Sequence, residues 1–201
     1  MRLLAAALLL VLPATAALAD AWDDAYERAA GRRFIPLELW SGAPWDGTRE
    51  IAARPAALVF GDRGQKSIRG PVPFTRPGTG ESLLVYERIN GGKTQLFAIT
   101  GSGNGIGRVY DSRYGRDCPD EVKFPLGLWQ EGERRRFDIA CNGGALKRTI
   151  ELTIEKLDFT YAGRAHALQF HWVVDGGRAR GTDMHYIYAP GRGLAREYGN
   201  E

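Results

Sequence analysis

From Leu146 to Tyr198 apolar and polar residues trade places at every second position, and that period admits little besides β-strand. Across Thr149-Ile150-Glu151-Leu152-Thr153-Ile154-Glu155 the apolar set falls on even numbers. The phase slips at Lys156, and Leu157, Phe159 and Tyr161 continue on odd numbers, as at a β-bulge or the start of a new strand. A turn at Ala162-Gly163 leads into His166, Leu168, Phe170, Trp172 and Val174. Asp175-Gly176-Gly177 breaks the run, Met184, Tyr186 and Tyr188 resume it, and Pro190 to Leu194 closes it with turn residues. The pattern predicts a β-meander. A three-residue loop at Asp175-Gly176-Gly177 would pair Phe170 with Thr182, Leu168 with Met184 and His166 with Tyr186. That register gathers the large side chains on one face and sends His171, Asp183 and His185 to the other.

Residues 1–19 carry a different signal. Arg2 gives a positive start, Leu3 to Leu12 an apolar core, and Ala17-Leu18-Ala19 a small-residue cleavage site, which together predict a signal peptide cut after Ala19. The apolar run is too short to span a bilayer, and no later run reaches the ~20 apolar residues of a transmembrane helix. Residue 20 is Asp, so lipidation at a new N-terminal cysteine is not expected. Residues 20–201 fit a single β-rich domain, periplasmic or secreted. Cys118 and Cys141 are the only cysteines, and an exported chain should join them in a disulfide closing a loop worth roughly 3.5 kcal/mol.

The charge is close to balanced, 27 Lys and Arg against 24 Asp and Glu, and the only basic run, Arg134-Arg135-Arg136, is flanked by Glu131 and Glu133. Nucleic acid is therefore not an expected partner. Asp20 to Ala30 reads as a short helix with Trp22 and Tyr26 on one side. Phe34 to Trp40 reads as an extended apolar piece, Trp45 as a loop anchor, and Ala56 to Phe60 as a short buried strand. The prolines of Gly70 to Gly78 confine that segment to a sheet edge or a surface crossing. Ser82 to Ile89 and Lys93 to Thr100 flank Asn90-Gly91-Gly92, a strong hairpin signal. The glycines of Gly101 to Gly107 resemble a dinucleotide loop only superficially, because a strand follows them and not a helix, and a hairpin loop is the simpler reading. The expected fold is mainly β: a single antiparallel curved sheet or open (half) β-barrel with a short N-terminal helix.

No nucleophile elbow, HExxH, EF-hand or phosphate loop occurs, so neither a catalytic residue nor a cofactor is expected. The histidines stand out, because all three lie in one predicted hairpin. His171, Asp183 and His185 share a face there, within reach of one divalent ion, or they decorate a wet surface as a charge cluster. His166 falls on the apolar face as a core or lining residue. Arg108, Arg113 and Arg116 surround Tyr110 and Tyr114 and form a second candidate surface, for a protein or an anionic group.

Phe124-Pro125-Leu126-Gly127, Leu168-Gln169-Phe170-His171-Trp172 and the closing Tyr186-Ile187-Tyr188-Ala189-Pro190-Gly191-Arg192-Gly193-Leu194 resemble uncharacterised exported bacterial β-sheet proteins that end in a Tyr-x-Tyr-x-Pro-Gly-x-Gly-Leu strand and turn. The likeness covers the second half of the chain. It implies a curved, half-open sheet similar to periplasmic lipid-carrier folds, and it carries over no catalytic residue. The leading expectation is a non-catalytic exported protein that binds a lipid-like ligand or an envelope partner through Phe170, Trp172, Tyr186 and Tyr188. The alternatives are a metal-binding protein or metal-dependent enzyme using His171, Asp183 and His185, and a purely structural envelope component.

Overall fold

The computed structural model describes residues 30–42, 66–76, 79–90, 93–112, 118, 120–175 and 182–200. Residues 20–29 of the helix expected over Asp20 to Ala30, Trp45, the strand expected at Ala56 to Phe60, Arg113, Tyr114 and Arg116 lie outside them, as does the expected leader. The fold is mainly β. Strands β1 (Arg32–Ile35) and β7 (Gly127–Gln130) form a two-stranded ribbon. Strands β2 (Lys66–Thr75), β3 (Ser82–Asn90), β4 (Lys93–Ile99), β5 (Gly105–Asp111) and β6 (Val122–Pro125) form one five-stranded sheet in sequence order. Strands β8 (Arg134–Cys141), β9 (Leu146–Tyr161), β10 (Arg164–Val174), β11 (Asp183–Ala189) and β12 (Gly193–Asn200) form a second, again in sequence order. The strands are thus divided between two antiparallel meanders and a ribbon where one sheet was expected, and neither meander closes into a barrel.

Among the described residues, the larger of two buried clusters lies between the two sheets. Phe97, Ile106, Val122 and Phe124 come from the first sheet, and Ile150, Leu152, Ile154, Leu168, Phe170, Trp172 and Tyr188 from the second. Phe34 to Trp40, read from sequence as one extended piece, ends as strand at Ile35. After Pro36 it becomes the short helix α1 (Leu37–Ser41), closed by Gly42 in the left-handed conformation. Tertiary packing decides this, because the helix places Trp40 between the sheets, 5.0 Å from Phe97, 5.7 Å from Phe124 and 6.0 Å from Tyr188, ring to ring. Cys118 is bonded to Cys141, with Cα atoms 4.3 Å apart, and the Trp172 indole N–H donates to Val122 O at 2.7 Å. The disulfide ties the connection before β6 to β8, and the indole bond ties β6 to β10.

Several sequence expectations hold. Residues 70–75 of the proline-bearing segment lie in β2, an edge strand among the described residues, and Asn90 pairs with Lys93 in the β3–β4 hairpin. The slip at Lys156 is a bulge inside one long strand, β9. The β10–β11 register is different. Phe170 pairs with Tyr186, Leu168 with Tyr188 and His171 with His185, four residues away from the expected alignment. The Val174 N–H donates to Thr182 O, so the hairpin closes over a longer connection than three residues. A shift of four preserves the two-residue period, and the division of side chains between faces survives.

Bulges aim side chains throughout. Val109 is the extra residue between the Leu96–Tyr110 and Phe97–Arg108 pairs, and Lys123 the extra one between Ile106–Phe124 and Gly107–Val122. Glu155 is the extra residue between Gln169–Lys156 and Phe170–Ile154, and Asp158 between Leu168–Leu157 and Ala167–Phe159. Each inserts one residue into an otherwise alternating strand.

Candidate functional site on the outer face of the second sheet

The ladder register lines up His171, His185 and Tyr198 as direct cross-strand neighbours on β10, β11 and β12. Their rings stack. The His171 and His185 centroids are 4.3 Å apart with planes 6° from parallel, and His185 and Tyr198 are 4.8 Å apart at 7°. Opposed cross-strand positions hold Cβ atoms about 5 Å apart, so ring stacking across the row follows from the register.

Carboxylates hold both imidazoles. His171 Nε2 lies 2.6 Å from Asp183 Oδ1, and His185 Nδ1 lies 2.9 Å from Glu155 Oε1. Gln169 Nε2 donates to Glu155 Oε2 at 2.7 Å and to the Tyr198 hydroxyl at 3.1 Å. The Arg196 guanidinium stands 5.0 Å from the centre of the Tyr198 ring. All of these groups are partly open to solvent, with the His171 and His185 side chains 28% and 27% exposed. One donor atom each from Glu155, His171 and His185 lies within 4.8 Å of the others. Two imidazoles and a carboxylate are a donor set suited to zinc or another divalent ion of similar softness, with a coordination position left over.

Of the expected metal ligands, His171 and His185 come together as anticipated. Asp183 sits beside them as the hydrogen-bond partner of His171, and Glu155 takes the third donor place. Reasoning from alternation missed Glu155, because an unbroken strand offers no way to single it out. The slip at Lys156 was the available signal, since it marks Glu155 as the bulged residue between the Gln169–Lys156 and Phe170–Ile154 pairs, next to the Thr153 that faces His171. Tyr198 was missed because the closing strand β12 was not paired with β11.

The other candidates lie elsewhere. His166 is 57% exposed, at φ 60°, with Nδ1 2.5 Å from Asp158 Oδ1, so it is neither core nor lining. An irregularity in β10 itself, three residues from Arg164 to Ala167 against two from Phe159 to Tyr161 on β9, breaks the alternation that placed His166 inward. Phe170, Trp172 and Tyr188 are buried, and Tyr186 packs against them. Phe170 lies 5.9 Å from Tyr188 and 5.3 Å from Tyr186, and Phe124 lies 4.7 Å from Tyr188. The protein's own rings fill this face.

Arg108, read as part of an exposed surface, is interior. The bulge at Val109 places it opposite Phe97, on the core side, together with Asp111. Its Nε and Nη2 donate to Glu121 at 2.9 and 3.1 Å and its Nη1 to Asp111 Oδ2 at 2.7 Å. Gln95 Nε2 donates to Asp111 at 2.6 Å, and Arg88 donates twice to Gln95 Oε1. At the other end Lys123 Nζ is 3.2 Å from Glu121 Oε1 and 3.2 Å from the centre of the Trp172 ring. Burial pushes the Lys123 ammonium well below the usual lysine range, against the pull of Glu121. Burial also pushes the Glu121 carboxyl up, but Lys123 and Arg108 outweigh it and hold the group below the usual carboxylate range.

Comparison with protein-family models, with curated proteins and with solved structures finds no match. Among the described residues no helix is long and apolar enough to cross a membrane.

Proposed function

We propose that this is an exported β-domain that binds a divalent transition-metal ion, zinc or copper(II), through Glu155, His171 and His185. The observation that carries the reading is the convergence of three donor atoms within 4.8 Å on the outer face of the second sheet. Asp183 supports it. A metal-bound imidazole commonly gives its other ring nitrogen to a carboxylate, and Asp183 stands in that position to His171. The two imidazoles disfavour calcium and magnesium, which take oxygen donors. Export is the compartment that fits a leader over residues 1–19 and the Cys118–Cys141 bond. The leading expectation from sequence, a lipid-like ligand on the aromatic face, loses its motive, because Trp40 and Phe124 occupy that face.

Titration calorimetry with zinc on the metal-free mature protein tests this. One ion per chain is expected. His171→Ala and His185→Ala should each weaken binding at least tenfold, and Asp183→Asn about 10- to 100-fold, with melting temperatures in chelator little changed. Undiminished uptake by the His171→Ala, His185→Ala double variant would sink the assignment. Mass measurement of the mature chain should place its first residue at Asp20.

A further inference from the structure

The stacked arrangement of His171, His185 and Tyr198 cannot itself be the metal-bound one. An imidazole lone pair lies in the ring plane, so an ion shared by two imidazoles must lie near both planes, about 2 Å from each nitrogen. Two rings face to face, 6° from parallel with centroids 4.3 Å apart, offer no such point. The donor atoms, up to 4.8 Å apart, must also close to about 3.3 Å for a tetrahedral ion. One ring therefore turns when the ion arrives.

The hydrogen bonds indicate which. His171 is held at Nε2 by Asp183, which takes no part in the three-donor cluster, and that bond can persist with metal on the other nitrogen. His185 is held at Nδ1 by Glu155, itself a prospective ligand whose bond to His185 gives way once it turns to the ion. What remains to resist a turn of His185 is its contact with the rings on either side, His171 and Tyr198.

We propose, resting on the metal reading above, that Tyr198 is an affinity-setting residue that competes with the ion for His185. Stacked on Tyr198, His185 is kept in a non-coordinating orientation. Bound to metal, it leaves the stack. Tyr198 touches no ion in either state and acts through His185, from the edge strand of the sheet. Arg196 and Gln169 steady the phenol at the far side of the stack and make the resting state a defined one.

The competition predicts an unusual sign. Tyr198→Ala should tighten zinc binding roughly two- to tenfold, the factor expected for the loss of one aromatic contact from the metal-free state. Tyr198→Phe keeps the ring and should stay within about twofold of wild type, since only the Gln169 bond is lost. Proton NMR of the wild-type chain gives an independent reading that does not require a variant to fold. In the metal-free protein the His185 ring protons should be shifted upfield by the flanking rings, and zinc should remove that shift while leaving the His171–Asp183 bond. Tyr198→Ala affinity equal to or weaker than wild type, or His185 shifts unchanged at saturating zinc, overturns the proposal and leaves the metal site standing. A wild-type chain that takes up no zinc, copper(II) or cobalt(II) removes the metal reading and this inference together.

Discussion

Arg108 reaches two carboxylates whose side chains are wholly buried, Asp111 and Glu121, through three of its nitrogens. Arg108→Met would leave both short of a partner, and removing one member of a buried ionic cluster costs about 3–5 kcal/mol. Urea unfolding should show that loss at pH 7. Lys123 differs in sign. An unfolded lysine keeps its proton to about pH 10.4, whereas burial makes the folded one release it earlier. Its charge therefore burdens the fold at low pH, and the burden is relieved as pH rises through the folded value towards 10.4. Lys123→Met should raise the melting temperature at pH 6, with the gain shrinking towards pH 10; a variant destabilised at both would contradict this. Glu121 behaves in the opposite sense. Its lowered pKa gives stability that is present above the unfolded value of about 4.3 and is lost as the solution is acidified through the folded one.

At the scale of the strand, the bulges explain what alternation alone does and does not reveal. Ile150, Leu152 and Ile154 could be assigned inward from their two-residue spacing, and they are buried. Strand β9 even announced its bulge by a change of phase. The bulges at Val109 and Lys123 are silent, because Gly105-Ile106-Gly107-Arg108-Val109-Tyr110 and Val122-Lys123-Phe124 show no interrupted repeat long enough to detect. Arg108 consequently reads as part of an exposed surface and lies in the interior, and nothing in the sequence singles out Lys123. The β10–β11 pairing was missed by four residues for a related reason: period two fixes the face and leaves the slide along the ladder free. A deletion pair tests the bulge in β9. Without Glu155, Lys156 still stands opposite Gln169 and the flanking pairs are kept, so the fold should survive with a modest loss while metal uptake disappears. Without Thr153, restoring the ladder downstream turns Ile154 outward and Glu155 inward. The expected cost is more than about 4 kcal/mol, read from thermal unfolding.

At the scale of the molecule, two features could be anticipated and one could not. Residue types and turn spacing carry the mainly-β character, and the cysteine count carries the disulfide. The partition into two meanders depends on which apolar faces meet across the core, information that no local pattern contains. Cys118→Ser/Cys141→Ser should cost about 3–4 kcal/mol in denaturant unfolding if loop closure accounts for the bond's effect. Within each five-stranded sheet, every strand pairs with its neighbour in sequence. That connectivity has a kinetic consequence. Each half can zip from a hairpin outward, closing only short loops, so ladder formation within a half is cheap in chain entropy and fast. The slow event is the meeting of the halves, when Trp40, Phe124, Phe170 and Tyr188 must come together at once. The folding barrier therefore belongs to docking, and core substitutions at those four rings should slow refolding, whereas substitutions in the hairpin turns should chiefly speed unfolding.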